Sequence, residues 1–576
     1  MKLISPSPSA WSEPMDSHSS RRRILQGLMA VGVGSKTMCR MLADEVSATG
    51  KLTVEQVAAA EKLTGLDLSD DERASLVRSI ESTLEKLRRI RAQQISVDQS
   101  PAVRFDPEIG SPETRQQWQR LRPWQRAWDK QAPPHLLEGD SETGVRWKTV
   151  RRLAADLRSG VTTSAELTRQ CLMLLEQANP ALNCVVSLLK DRALAQADQA
   201  DRELAQGKDR GLLHGIPWGA KDLLAVPGYH TTWGAPQYRD RELNQSATVV
   251  SRLDEAGAVL TAKLSTGALA MGDRWFGGQT KNPWNTEQGS SGSSAGSAAA
   301  TSAGLLPFAI GSETLGSIIS PSKRCSIAGL RPTYGRVSRA GCMPLSWTMD
   351  KLGPLASSCD DLGIVLAAIH GSDPSDSSSV TRWYEWPVSL KLKDLRVGHV
   401  TNAPTTAAEQ VVLDQLRSLG VTICDIELPR EHNEYDLTVM LDVEAATVFR
   451  ELTNSGDTEG LNSWPTIFQR ARFVSAVDYL QAARVRAVLM QQMAAIFEGI
   501  HFYVGGSDLG ITNLTGHPTL SVPALRRKQD PQPLCCTLTA GLYDEATLLA
   551  AGTALEPLLG VYGMHPNVPG VDDKLQ

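Results

Sequence analysis

Gly289-Ser290-Ser291-Gly292-Ser293-Ser294-Ala295-Gly296-Ser297-Ala298-Ala299-Ala300 is the stretch on which the reading of this chain turns. Its first half carries nothing larger than serine, so the backbone is free to take tight turns that bulkier residues resist. Its second half, running on to Leu305, is small and helix-prone. The pattern predicts a loop that leads into a helix packed closely on a sheet, with the helix N-terminus facing the loop. Upstream lies Gly215-Ile216-Pro217-Trp218-Gly219-Ala220-Lys221-Asp222, and downstream lies Gly311-Ser312-Glu313-Thr314-Leu315-Gly316-Ser317. Together they supply a lysine, a serine in a Gly/Ser-rich loop, and a second serine on a Gly-containing turn. That inventory suits a serine nucleophile activated by another hydroxyl and a neutral amine. It predicts acyl transfer without a metal, a cofactor or a histidine.

These residues resemble the amidase signature family. The lysine segment is similar to that family's G-I-P-x-x-x-K-D. The serine loop resembles G-G-S-S-G-G-S-A-A-A. The third segment, continued by Ile318-Ile319-Ser320-Pro321, resembles D-T-G-G-S-I-R-x-P. Ser293 follows Lys221 by 72 residues and precedes Ser317 by 24, which fits the family pattern. The resemblance extends over Lys281-Asn282-Pro283-Trp284, over Gly329 to Ser338 and over Asp350-Lys351-Leu352-Gly353-Pro354. It implies an amidase-type hydrolase that cleaves an amide or ester through a serine acyl-enzyme. Ser317 is then the nucleophile, Ser293 the relay beside a cis peptide, and Lys221 the base. Backbone N–H groups of Thr314, Leu315, Gly316 and Ser317 are expected to hold the oxyanion. Ser290, Ser291, Ser294 and Ser297 compete with Ser293 for the relay, Ser294 most closely.

A lysine serving as base must shed its charge near neutral pH, which burial achieves. Trp218, Leu223 and Leu224 offer an apolar setting, and Asp222 is expected to point away and bond backbone. Two departures from the family pattern bear on the site. Leu315-Gly316 stands where the family has Gly-Gly, so a left-handed backbone at the first position would strain the turn. Glu313 replaces aspartate, and Ile318-Ile319 replaces Ile-Arg; a more apolar wall suggests a substrate other than free glutamine. His517, in Asn513-Leu514-Thr515-Gly516-His517-Pro518, reads as structural.

At 576 residues the chain exceeds one typical core. A net charge of −5 gives no basic footprint, which disfavours nucleic acid as a partner. After the first forty residues no apolar run of about 20 predicts a spanning helix. The partner expected is a small-molecule amide or ester, with a homodimer as an option. Nine cysteines without C-x-x-C spacing do not read as a metal or disulfide framework. Residues 1–45 contain Ser20-Arg21-Arg22-Arg23-Ile24-Leu25-Gln26, which resembles a twin-arginine export motif. Export to the periplasm is one expectation and a cytoplasmic enzyme with a basic tail the other.

Residues 46–95 read as a helical hairpin, with Ser69-Asp70-Asp71-Glu72 opening a stripe of Leu76, Ile80, Leu84 and Leu87. It weakly resembles the small helical C-type partner of the A-type chain in tRNA amidotransferases. Residues 96–145 form a proline-rich strap holding Trp118, Trp124 and Trp128. Residues 146–576 form the catalytic domain, with 385–500 as a substrate-side insertion. Strands are expected near 182–188, within 248–264, and at 307–311, 397–400, 422–426 and 502–504. Alternating with helices, they predict an α/β fold: a mixed, mostly parallel central sheet covered on both faces. Two rivals stand beside the hydrolase: an A-type amidotransferase subunit fused to its helper, and an inactive scaffold with the same fold.

Overall fold

Short apolar runs such as Val259–Leu264 and Phe308–Glu313 are buried nearly end to end, as central strands must be. In the computed structural model, which describes residues 52–64, 66–93, 103, 145–388, 390–431 and 433–572, they belong to one sheet of 11 strands. In chain order these are β1 (Val185–Leu188), β2 (Pro217–Lys221), β3 (Val259–Leu264), β4 (Phe308–Glu313), β5 (Ala328–Arg331), β6 (Lys351–Ala356), β7 (Arg396–Val400), β8 (Thr422–Ile426), β9 (Phe502–Val504), β10 (Thr519–Leu525) and β11 (Leu534–Ala540). The order across the sheet is β1-β3-β2-β4-β6-β5-β10-β11-β9-β7-β8.

The sheet is mixed and flanked by helices, as expected, but it is not mostly parallel. Of the ten neighbouring pairs, four are parallel and six antiparallel. The central strands β4, β6, β5, β10 and β11 are antiparallel throughout, and antiparallel neighbours need no crossover helix between them. The parallel pairing of β2 with β4 sets Ala220 opposite Ile310. That register carries the end of β2, with Lys221, alongside the end of β4, with Ser312 and Glu313.

The chain divides into two compact units at Glu85/Lys86. In the first, helix Val54–Thr64 precedes the start of helix Asp70–Ala92. Ser69 and Glu72 exchange a capping box there, and Arg73 pairs with Glu61 at 2.7 Å. In the second unit, Leu87 and Ile90 are buried in a cluster with Met440, Val485 and Leu489. Arg89 forks onto Asp436 at 2.6 Å, and Arg91 onto Asp478 at 2.7 and 2.8 Å. Within 385–500, β7 and β8 extend the sheet, while helices Val439–Val448, Trp464–Ala471 and Ala476–Ile496 follow. The export-like motif and the three strap tryptophans lie outside the described residues. Among the described residues no helix is long and apolar enough to cross a membrane.

Candidate active site

Lys221 is fully buried at the end of β2. Its Nζ lies 2.8 Å from Ser293 Oγ, 2.8 Å from Ser312 Oγ, 3.1 Å from Ser294 Oγ and 3.4 Å from the Ser312 carbonyl. Burial lowers the amine's pKa to about 7, against a smaller upward pull from Cys342, Asp350 and Glu313. A neutral amine has two protons and a lone pair, so it can donate to two of these oxygens and accept from a third. Asp222 points elsewhere, as expected. It accepts from the Thr232 backbone N–H at 3.0 Å and from the Thr232 hydroxyl, and it pairs with buried Lys263 at 2.8 Å. The Lys263 partner went unseen in the sequence.

The two loop serines among the three bonded to Lys221 differ in how they are used. Ser294 Oγ donates to the Ser312 carbonyl at 3.0 Å and accepts from the Ser312 N–H at 3.1 Å. It therefore splices the loop to β4. The Ser293 hydroxyl bonds Lys221 and, among the described residues, nothing else. The Gly292–Ser293 peptide is cis. Helix Ala295–Ser302 begins immediately after Ser294 and is buried along its whole length.

Ser317 is half-buried, and its hydroxyl makes no hydrogen bond among the described residues. Its carbonyl accepts from the Ser294 N–H at 3.1 Å, which ties the Gly316 turn to the serine loop. Gly316 has φ +95°, whereas Leu315 is not in the left-handed region. The leucine is therefore accommodated without backbone strain. Its side chain packs on the cluster that holds Met349, Ile511 and Leu514. Among the described residues, no protein group accepts from the backbone N–H of Leu315, Gly316 or Ser317. The Thr314 N–H likewise has no acceptor there, so four successive backbone donors of this turn have no protein partner.

Glu313 holds this turn from beneath. One carboxylate oxygen accepts from the N–H groups of Ile318 and Ile319 at 2.8 and 2.9 Å. The other accepts from Arg331 and Asn513, both at 2.8 Å. All of Glu313 and Arg331 is buried, so each charge depends on the other, and the buried Arg331 Nε has no hydrogen-bond partner among the described residues. The pKa of Glu313 falls despite burial, chiefly through Arg331. On the other flank, Asp350 accepts from Thr314 Oγ1 at 2.6 Å and from the N–H groups of Leu345 and Ser346 at 2.8 and 2.9 Å. Glu444 then fixes the same loop through Ser346 and Thr348. His517 is buried, stacks on Phe497, meets Thr515 at 2.8 Å and has its pKa pushed down to about 3 by burial. It is a structural histidine.

Two cavities border these residues. One, of about 200 Å³, touches Leu223, Ser312, Thr314, Cys342, Asp350 and neighbouring apolar side chains. The other, of about 880 Å³, reaches Ser291, Ser320, Lys323 and Leu509. Sequence reading had missed Ser312, Arg331 and Asn513. Ser312 sits inside a quoted motif, and its alternation with buried Gly311 and Glu313 on a strand was the available signal.

Comparison with known proteins follows the same lines. The family profile described as Amidase matches residues 166–507. The A-type chain of glutamyl-tRNA(Gln) amidotransferase from Chloroflexus aurantiacus is 30% identical over 488 residues, spanning 74% of this chain and 99% of the relative. The native peptide amidase of Stenotrophomonas maltophilia superposes with TM-score 0.64 at 25% identity, covering 73% of this chain and 99% of that one. A bacterial aryl acylamidase of the amidase signature enzymes superposes with TM-score 0.65 at 20% identity, covering 74% and 99%, which speaks to the fold alone.

Proposed function

Because the chain belongs to the amidase family, we propose that it hydrolyses the C–N bond of a small carboxylic amide, or the related ester, through an acyl-enzyme on Ser317. Ser293 relays the proton and Lys221 receives it. The single observation that carries this reading is the 2.8 Å contact between Ser293 and a buried amine poised at a pKa of about 7. Near neutral pH such a group can both take a proton and return it, which is what a general base and acid must do. Ser293 suits the relay because Ser294 is committed to Ser312. The open N–H groups of Thr314 to Ser317 suit the oxyanion, where one donor is typically worth about 3 kcal/mol. Thr314 completes the turn through Asp350. Leu315, with its ordinary backbone, gives no support to an inactive scaffold. The test is turnover of a panel of amides and esters by wild type beside Ser317→Ala and Lys221→Ala. Loss of turnover in both variants supports the reading; full activity of Ser317→Ala removes it.

A second reading has its own support. A 30% likeness to an A-type amidotransferase chain over 99% of that chain's length makes a glutamine-dependent, tRNA-linked role a definite alternative. Glutaminase activity that rises when tRNA is added would favour it.

A further inference from the structure

We propose that the cavity beside Lys221 receives the leaving amine, and that this chain prefers N-substituted amides whose nitrogen carries one compact, uncharged ring. This deepens the acyl-transfer reading and rests on it. In acylation, Ser317 Oγ bonds to the carbonyl carbon while its proton passes to Ser293, whose own proton passes to Lys221 Nζ. When the C–N bond breaks, Lys221 returns a proton through Ser293 to the departing nitrogen, and a neutral amine leaves. Water repeats the route against the ester, releasing the acid and restoring the Ser317 hydroxyl. The departing nitrogen must therefore lie within reach of the Ser293–Lys221 pair. Of the two cavities bordering the site, the one of about 200 Å³ includes Ser312, a hydrogen-bond partner of Lys221. The larger cleft includes none of the groups bonded to Lys221 Nζ.

The walls define what fits. Leu223, Met343, Leu345 and Leu352 are apolar, and Trp347 closes the rim, its side chain partly exposed. The polar groups there are already engaged. Arg339 faces Asp376 at 3.3 Å and also donates to Ser378 and the Trp347 carbonyl. Asp350 is taken up by Thr314 and two backbone N–H groups. A carboxylate-bearing substituent would meet Asp350 and Asp376, with Arg339 already paired to Asp376. The size suits one ring, since a buried cavity of about 150 Å³ is known to hold benzene. A primary amide, glutamine included, would release ammonia and leave this space unused.

The test measures kcat/KM of the full chain on amides that share one acyl group. The amines are ammonia, methylamine, aniline, cyclohexylamine, 2-aminonaphthalene and 4-aminobenzoate. The anilide and the cyclohexylamide should both exceed the primary amide at least tenfold, which separates size from leaving-group reactivity. The naphthyl and carboxylate-bearing amides should each fall at least tenfold below the anilide. Cys342→Phe, which fills the cavity, should cut the anilide-to-primary-amide ratio at least tenfold. Trp347→Ala, on the rim, should raise the naphthyl-to-anilide ratio. Turnover of the primary amide at or above the anilide overturns this proposal while leaving the acyl-enzyme reading intact. Turnover of no member overturns both.

Discussion

Replacing Lys221 with methionine should leave the protein far less active and, near neutral pH, relieve it of a folding cost. The amine titrates at about 7 in the folded chain and, as for a free lysine, at about 10.4 when unfolded. Between those values the unfolded state holds one more proton than the folded state. Stability therefore rises with pH across this window and loses that contribution as pH falls toward 7. The two values set the cost at pH 7 at about 4 kcal/mol, shrinking to about 1 kcal/mol at pH 9.5. Lys221→Met removes the titration along with several hydrogen bonds, each worth about 1 kcal/mol, so the pH slope is more diagnostic than the net change. Urea unfolding of both proteins at pH 7 and 9.5 should show wild type gaining about 3 kcal/mol more than the variant over that interval. Activity should follow the same group. Wild-type kcat/KM should fall to about one-tenth of its plateau at pH 6 and about one-hundredth at pH 5. Equal slopes in the two proteins, with a flat activity profile from pH 5 to 8, would refute a neutral buried lysine.

Three further outcomes are expected. Gly316→Ala should lower kcat at least tenfold and destabilise by about 1–3 kcal/mol, because φ is +95° and the new methyl would meet Ser320 Oγ at 2.9 Å; steady-state kinetics and chemical unfolding check it. Glu313→Gln should destabilise by about 3–5 kcal/mol by leaving Arg331 buried without its counter-charge, read from denaturant midpoints. Ser293→Ala should cut kcat by about 10²–10⁴ with little change in unfolding midpoint, whereas Ser294→Ala should lower the midpoint as well, since its hydroxyl joins the loop to β4.

Much of this was legible because the decisive residues are local in sequence. The serine loop, the helix after it and the Gly316 turn announce themselves by side-chain size alone. Several strands were also plain, β3, β7, β8 and β9 among them. Others were hidden by the residues that make close packing possible. Pro217 and Gly219 break the β-pattern of β2, yet proline is tolerated at a strand's first position. A side chain at Gly219 would lie 2.4 Å from Leu264. Gly353 and Pro354 disguise β6 in the same way, and a Cβ at Gly353 would meet the Leu330 carbonyl at 2.1 Å. The prevalence of antiparallel pairs went unseen because strand direction depends on non-local pairing. The supporting cast was hidden for that reason too. Asn513 reaches Glu313 across 200 residues, and Glu444 reaches Ser346 across 98. Neither distance leaves a periodic trace.

The account stands or falls on which atom becomes acylated. A fluorophosphonate probe, followed by peptide mapping, reads this directly. The predicted result is one adduct on Ser317, formed more slowly in Lys221→Ala and absent in Ser317→Ala. An adduct on another residue, or unmodified protein after prolonged exposure at pH 8, would contradict it.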